Sequence, residues 1–386
     1  MQADILMVGA GLSGAVAGRA LAEAGHRVTI ADSRPHIAGN CHTERCPETG
    51  VLVHVYGPHI FHTERTEVWD YVNRFARFRP YRHQVRTTLG GKVFAMPINL
   101  LTINQFFGLA LRPDEAIAFI EKQTERGTGE PANFEEQALA MMGRPLYEAF
   151  FKGYTEKQWG CPATDLPAHI LKRLPMRFNY DDNYFAHPFQ GMPEEGYSEM
   201  VARILDHERI TLQLGRHVSP DEGRAYAAQG HVFWSGPLDA WFGHDAGHLG
   251  YRTLDFERFT ARGDWQGCAV MNWPEAEMPF TRITEHKHFA PWESHEKSVL
   301  YREYSRACGE GDIPYYPIRL AQGKALLAEY VARARREAGV TFMGRLGTYR
   351  YIDMDVTIHE ALLTARAYLE ASRAGRAMQA FVVEPL

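Results

Sequence analysis

Cysteine is scarce in this 386-residue chain, with five, at positions 41, 46, 161, 268 and 308. An odd and scattered set cannot build the disulfide framework of a small secreted protein and suits a reducing cytosol. Cys41 and Cys46 flank His42, but their separation is too wide for a knuckle and no second pair follows, so a structural zinc site is not expected. No apolar run approaches the roughly 18 residues that a membrane-spanning helix needs. The opening MQADILMVGAG enters a structural motif directly, without the basic region and cleavage site of a signal peptide. Neither sign of charge dominates either: 42 Lys and Arg against 47 Asp and Glu leave −5. That excludes the global basic field of a nucleic-acid or anionic-lipid binder, so any anionic ligand must be held by a few placed cations. There is no low-complexity tract and no internal repeat. These absences predict a soluble, cytoplasmic, mixed α/β protein, long enough for about two or three domains.

What is present begins at the N-terminus. Asp4 to Val8 is a short apolar run, followed by Gly9-Ala-Gly11-Leu12-Ser13-Gly14 and a helical stretch that ends at Gly25. HRVTIAD then supplies a second strand ending on Asp32. Strand, G-x-G-x-x-G, helix, strand and acid at this spacing are the parts of a dinucleotide site. Gly9 makes the tight turn, Gly11 admits a pyrophosphate to the backbone, and Gly14 lets helix and strand pack. The helix N-terminus offers free N–H groups to the phosphates, and Asp32 can accept from a ribose. The pattern alone does not separate NAD from FAD. The chain after Asp32, Ser33 onward, returns through Ala38-Gly39-Asn40, and a second glycine-bearing turn there resembles the flavoprotein version.

Periodicity divides the remainder. Residues 64–76 read as a helix with Val68, Trp69, Val72 and Phe75 on one face. Two β-type runs flank Gly90-Gly91, a hairpin signal. Helical signals fill 102–160, with Pro113 at a helix start, Asn133 and Glu136 as cap and capping partner, and a break at Gly143-Arg-Pro145. Stretches 165–190 and 250–305 mix Tyr, Phe, Thr and Arg with turns and predict antiparallel strands. YSEMVARILD reads as a helix, ITLQLGRHV and HVFWSGP as strands, and the end gives helix, strand, helix. The expected architecture is α/β: a discontinuous FAD-binding Rossmann-like domain (1–78, 207–245 and 317–386), an inserted helical bundle (100–163) and an inserted antiparallel β-sheet domain (79–99, 164–206 and 246–316).

YGPHIFHT, FFKGYTEKQWG, RFNYDDNYF, TRITEHKHF, PYYPI and GRLGTYRYIDMD follow one another behind this flavin-type start. In that order they resemble the UDP-galactopyranose mutases of the bacterial type, essentially end to end. The resemblance implies bound FAD, active when reduced, a homodimer, an external reductant, and interconversion of UDP-galactopyranose with UDP-galactofuranose for cell-surface polysaccharide. It also implies a route: reduced flavin N5 attacks the anomeric carbon, UDP leaves, a flavin-galactose iminium allows the ring to open, and the ring closes contracted. Such chemistry leaves placement and charge to the protein.

The resemblance also distributes roles. A departing diphosphate needs guanidiniums, which match phosphate oxygens in a bidentate way, and these are Arg173, on a loop that closes over substrate, and Arg282. Phe150, Phe151, Tyr154, Thr155 and Trp159 are implied for the uridine slot, against the reading that aromatics at helical spacing are core packing. Tyr184, Tyr315 or its neighbour Tyr316, and Tyr351 are implied phosphate contacts, with Asn272 also on the substrate side. Gly9, Gly11, Leu12, Ser13, Gly14, Asp32, Ser33, Gly39, Asn40, Ile60, Arg345, Tyr351, Asp353 and Met354 are implied cofactor contacts. Arg345 would help the flavin carry the charge of its reduced form.

Three histidines in HVYGPHIFHTE, His54, His59 and His62, have a spacing that suggests a metal site, yet no third and fourth donor at suitable distance is evident. By resemblance His59 and His62 are instead flavin and sugar neighbours with catalytic roles, and His54 is structural. His83, where many relatives carry Asn, can hydrogen-bond a sugar hydroxyl and can also charge. Two other functions fit a flavin-type start. An FAD oxidase of the amine or porphyrinogen type would want an apolar cavity rather than phosphate-facing arginines, and a non-catalytic flavin scaffold would need neither.

Overall fold

The computed structural model describes residues 5–173, 176–319 and 323–386, without the side chains of Lys172 and Arg173. Ile5–Val8 lies almost wholly buried in the centre of a five-stranded sheet. A strand covered on both faces reads as a continuous apolar run, which is how parallel sheets are built. The order is Ile210–Leu214, Val28–Asp32, Ile5–Val8, His231–Trp234 and Val340–Phe342, every pair parallel. Helix Leu12–Glu23 follows the first strand and packs beside the last helix, Met354–Arg373. Its small residues allow close approach: a side chain on Gly18 would meet Ile30 at 2.8 Å. Trp234, Trp241, Tyr330 and Phe342 fill a second apolar cluster of the same sheet.

A second sheet has seven strands, in the order Tyr316–Pro317, Tyr251–Arg262, Lys297–Ala307, Arg282–Glu285, Val270–Asn272, Val85–Leu89 and Lys92–Met96. Gly90 and Gly91, both at positive φ, make the tight turn between its last two strands. The sheet is not wholly antiparallel as expected, because Val270–Asn272 runs parallel to Val85–Leu89. Helices Leu100–Phe107, Pro113–Glu121, Phe134–Tyr147 and Gly153–Trp159 form the helical part. The Asn133 side chain accepts from the Glu136 N–H at 2.9 Å, and Gly143, at φ +77°, kinks the helix it interrupts.

Two further expectations are corrected. The described residues between 165 and 190 are mostly short turns and loop, since Pro167, Pro188 and the NYDDN run deny the backbone a ladder. Strand Phe189–Pro193, at the end of this span, pairs with Phe61–Thr63 and Phe78–Pro80 in a separate small sheet. Helix Tyr197–Leu205 docks on Leu12–Glu23 rather than on the sheet-rich part, with Arg19 donating to the Ile204 and Asp206 carbonyls at its end. Helix Pro220–Ala227 was not anticipated; Ser219 caps it by accepting from the Glu222 N–H. Among the described residues no helix is long and apolar enough to cross a membrane.

Candidate active site

Gly9, at φ +111°, turns the chain from the first strand into helix Leu12–Glu23. A methyl group on Gly14 would overlap the Gly9 carbonyl, and one on Gly39 would sit 3.2 Å from the Gly11 Cα. The two glycine turns therefore face each other with bare backbone, at a helix N-terminus whose N–H groups favour an anion. Asp32 braces this turn: its carboxylate accepts from the Ala10 N–H at 2.7 Å and from the Arg34 N–H at 2.9 Å. Ser33 is exposed beside it. Arg34 lies over the Tyr56 ring at 4.8 Å and donates to Asn40 Oδ1, while its buried Nη1 has no partner among the described residues. A buried guanidinium N–H without an acceptor is costly, and a dinucleotide phosphate or carbonyl would satisfy it. These residues fit a dinucleotide.

Leu12 and Ser13 are buried at the helix start, and Gly344 packs directly on Ser13. That contact brings Arg345 toward the same turn, within electrostatic reach of Cys41 and His59, while Ile60 and Met354 are half-buried. Burial lowers the Arg345 pKa from its ordinary value, and among the described residues no carboxylate lies within ion-pair distance of it. Asp353 occupies the N-cap position of the last helix; its carbonyl accepts from Thr357, and its side chain makes no cap hydrogen bond.

On the second sheet, Asn272, Arg282 and Glu303 are direct cross-strand neighbours in one row. Arg282 Nε and Nη2 both lie 2.7 Å from Glu303 Oε2, and Glu303 is buried. Burial opposes the charge on Arg282, but Glu303 outweighs it and holds the guanidinium well above its ordinary pKa. On helix Gly153–Trp159, Tyr154 lies within reach of the Arg282 and Glu303 charges, while Thr155 is buried. The Trp159 ring lies 6.4 Å from Tyr316, and Tyr316 meets Tyr351 edge-on at 5.3 Å. Tyr154, pushed up to about 12 by burial, feels Arg282, Glu303 and Tyr351; burial raises Tyr184 and Tyr316 as well. The Arg282 guanidinium thus lies within electrostatic reach of the phenols of Tyr154, Tyr184 and Tyr316, each able to donate one hydrogen bond.

The expected slot divides. Phe150 lies in the core between Phe94 and Phe106, with Phe151 also buried, because a wide turn at Glu148–Lys152 rotates both inward. Tyr315 is buried against Phe256, so Tyr316 is the tyrosine that joins the cluster. Arg173 ends the turn Ala168–Arg173, but its side chain lies outside the described residues.

The three opening histidines go separate ways and do not converge on a point. His54 Nδ1 accepts from the His59 N–H, and the His54 N–H donates to His286 Nδ1. The His59 ring bonds the Gly57 carbonyl at 2.9 Å. His62 pairs with His187, Nδ1 to Nδ1 at 2.8 Å, and stacks on Phe185 at 3.6 Å. His83 is buried, its carbonyl accepting from the Tyr184 N–H. Burial, then the charges of Arg282 and His62, pulls His83 down to about 3. Arg34, His187 and Glu303 were not singled out from sequence; only Arg34, two residues past the acid, carried a local signal.

Parallel sheet, facing glycine turns and braced acid define a Rossmann-like dinucleotide-binding protein, and residues 7–75 match the family model described as NAD(P)-binding Rossmann-like domain. Residues 149–351, which hold the phenol and guanidinium cluster, match the model described as UDP-galactopyranose mutase. A Klebsiella pneumoniae protein named Probable UDP-galactopyranose mutase is 58% identical over 98% of both chains. A dTDP-fucopyranose mutase of Escherichia coli is 47% identical, over 96% of this chain and 99% of that one. The chain belongs to the UDP-galactopyranose mutase family. A crystal structure of reduced UDP-galactopyranose mutase shares the fold with a TM-score of 0.74 at 15% identity, covering 96% of each chain. Putrescine oxidase shares it with a TM-score of 0.57 at 12% identity, over 96% of this chain and 99% of that one.

Proposed function

We propose that the protein interconverts UDP-galactopyranose and UDP-galactofuranose with FAD bound in reduced form. The observation that carries the reading is the Asn272–Arg282–Glu303 row, walled by Tyr154, Tyr184, Tyr316 and Tyr351, within a chain whose relatives act on nucleotide sugars. Gly9, Gly11, Gly14, Asp32, Arg34, Gly39 and Asn40 would hold the dinucleotide, and Arg345 would face the charge of its reduced ring. A reduced flavin supplies an electron-rich nitrogen able to displace the nucleotide from the anomeric carbon.

The chain's own residues do the remainder. Arg282, oriented by Glu303, receives the diphosphate as it departs, and Arg173 contributes a second cation. The neutral phenols donate to phosphate oxygens without adding charge, so the leaving group is held but can return. His83, kept neutral, offers a hydrogen bond to a sugar hydroxyl, and Trp159 covers the uridine. We further propose a cytoplasmic homodimer recharged by an external reductant, making furanose for surface polysaccharide.

The oxidase reading shares the fold alone, and a cationic, phenol-lined wall is the wrong lining for an amine. The test is an anaerobic assay of the flavin-loaded protein with UDP-galactopyranose and dTDP-fucopyranose in competition. Preferential contraction of the uridine nucleotide supports the proposal; preference for the deoxysugar, or, in a parallel assay in air, peroxide formation from an amine without contraction, overturns it.

A further inference from the structure

Helix Gly153–Trp159 and the loop between strands Val270–Asn272 and Arg282–Glu285 come from distant parts of the sequence and meet in an unusual joint. Lys157 extends from the helix into the loop, and its ammonium lies 2.5 to 3.1 Å from four backbone carbonyls, those of Trp273, Glu275, Met278 and Phe280. One turn earlier on the same face, Gly153 abuts the Pro274 carbonyl so closely that a methyl group there would overlap it. The loop neck is closed by Trp273 N–H to the Thr281 carbonyl at 2.9 Å. Arg252 fastens the other end of the helix, donating to the carbonyls of Gln158 and Lys157.

A loop carbonyl is satisfied equally by water, so a loop needs no half-buried cation to fold. An ammonium has only three N–H donors, and gathering four carbonyls around one fixes the loop's shape and its distance from the helix together. Both loop ends carry residues of the proposed site, Asn272 before it and Arg282 after it. The helix carries Tyr154, Thr155 and Trp159.

We infer that Lys157 and Gly153 form a positioning joint that sets the spacing between the uridine-covering helix and Arg282, so that one nucleotide reaches both. The joint touches neither nucleotide nor sugar. It acts by placing Arg282, and it rests on the reading that Arg282 binds the diphosphate.

The test is UDP titration of flavin-loaded protein for Lys157→Met and Gly153→Ala, each alone and combined with Arg282→Ala. The two substitutions perturb the joint by different means, one deleting donors and the other wedging the loop away. Should Lys157→Met fail to fold, Gly153→Ala decides. Each single change is expected to weaken UDP binding about tenfold, the size of a coupling between dependent sites, and to change it less than about twofold once Arg282 is gone. Unaltered UDP affinity in folded single variants, or losses that persist in full without Arg282, overturns the joint. Absence of UDP affinity in the unmutated protein would instead overturn the functional reading beneath it.

Discussion

Arg282 and Glu303 stand directly opposite each other on adjacent antiparallel strands, and a single carboxylate oxygen takes both the Nε and Nη2 of the guanidinium. The second oxygen, Oε1, is buried and has no partner among the described residues. Such a pair orients the cation without saturating it. Removing one member of a buried pair costs about 3 kcal/mol, because the other charge is left uncompensated. Glu303→Ala is therefore expected to lower the unfolding free energy by about that much and turnover by more than about tenfold. Chemical unfolding and steady-state rates check this; unchanged stability would show that the pair is solvated.

The facing glycine turns predict a cofactor phenotype. Gly39 is at φ +54°, and a side chain there enters the gap to Gly11. Gly39→Ala adds strain of about 1–2 kcal/mol and narrows the bare backbone corridor. The variant is expected to purify with less flavin and to show a smaller rise in unfolding temperature on addition of FAD. Full flavin content would place the dinucleotide elsewhere.

At the nucleotide end, Trp159→Ala removes a stacking surface worth about 1–3 kcal/mol per base. UDP affinity should fall about tenfold or more, with flavin content unchanged. Arg282→Ala and Arg173→Ala should each abolish most turnover while flavin stays bound. Near-native rates in either variant would refute its assignment.

Histidines shielded from water, His83 and His286 fully and His59 in part, predict acid sensitivity. Burial, then Arg258, lowers His286 to about 3; burial, then Arg345 and Arg282, lowers His59 to about 4; and His83 lies at about 3. Unfolded histidine titrates near about 6.5, so over the interval below it the unfolded chain binds more protons than the folded one. Their contribution to stability is complete above about pH 6.5 and is lost as pH falls toward the folded values, by up to about 1.4 kcal/mol per unit for each group. His286→Phe should lose about 2 kcal/mol less than the unmutated protein between about pH 7 and pH 5. Denaturant titrations at the two pH values measure it, and identical losses would contradict the assignment.

Much of the frame was legible because its signals are local. Gly9 to Asp32 spells out strand, turn, helix and strand in one stretch, and Gly90-Gly91 or Asn133 with Glu136 mark a turn and a cap within a few residues. The small sheet of Phe61–Thr63, Phe78–Pro80 and Phe189–Pro193 was not legible. Its three-residue strands are too short for alternation to show, and their partners lie far along the chain. Glu303 was missed for the same reason, since its meaning comes from cross-strand register and nothing in EYSRA announces it. Phe150 and Tyr154 sit in one motif, and only the wide turn before the helix decides which ring faces the core. For Tyr315 and Tyr316, alternation along an extended segment sends one ring inward and the other to the cluster.

We expect this site to contract the sugar ring only with an electron-rich flavin beside it. Furanose formation from UDP-galactopyranose, followed without oxygen before and after dithionite reduction of the same sample, tests it most directly. Negligible conversion by the fully oxidised protein and rapid approach to equilibrium after reduction are expected. Equal rates in the two states would contradict it.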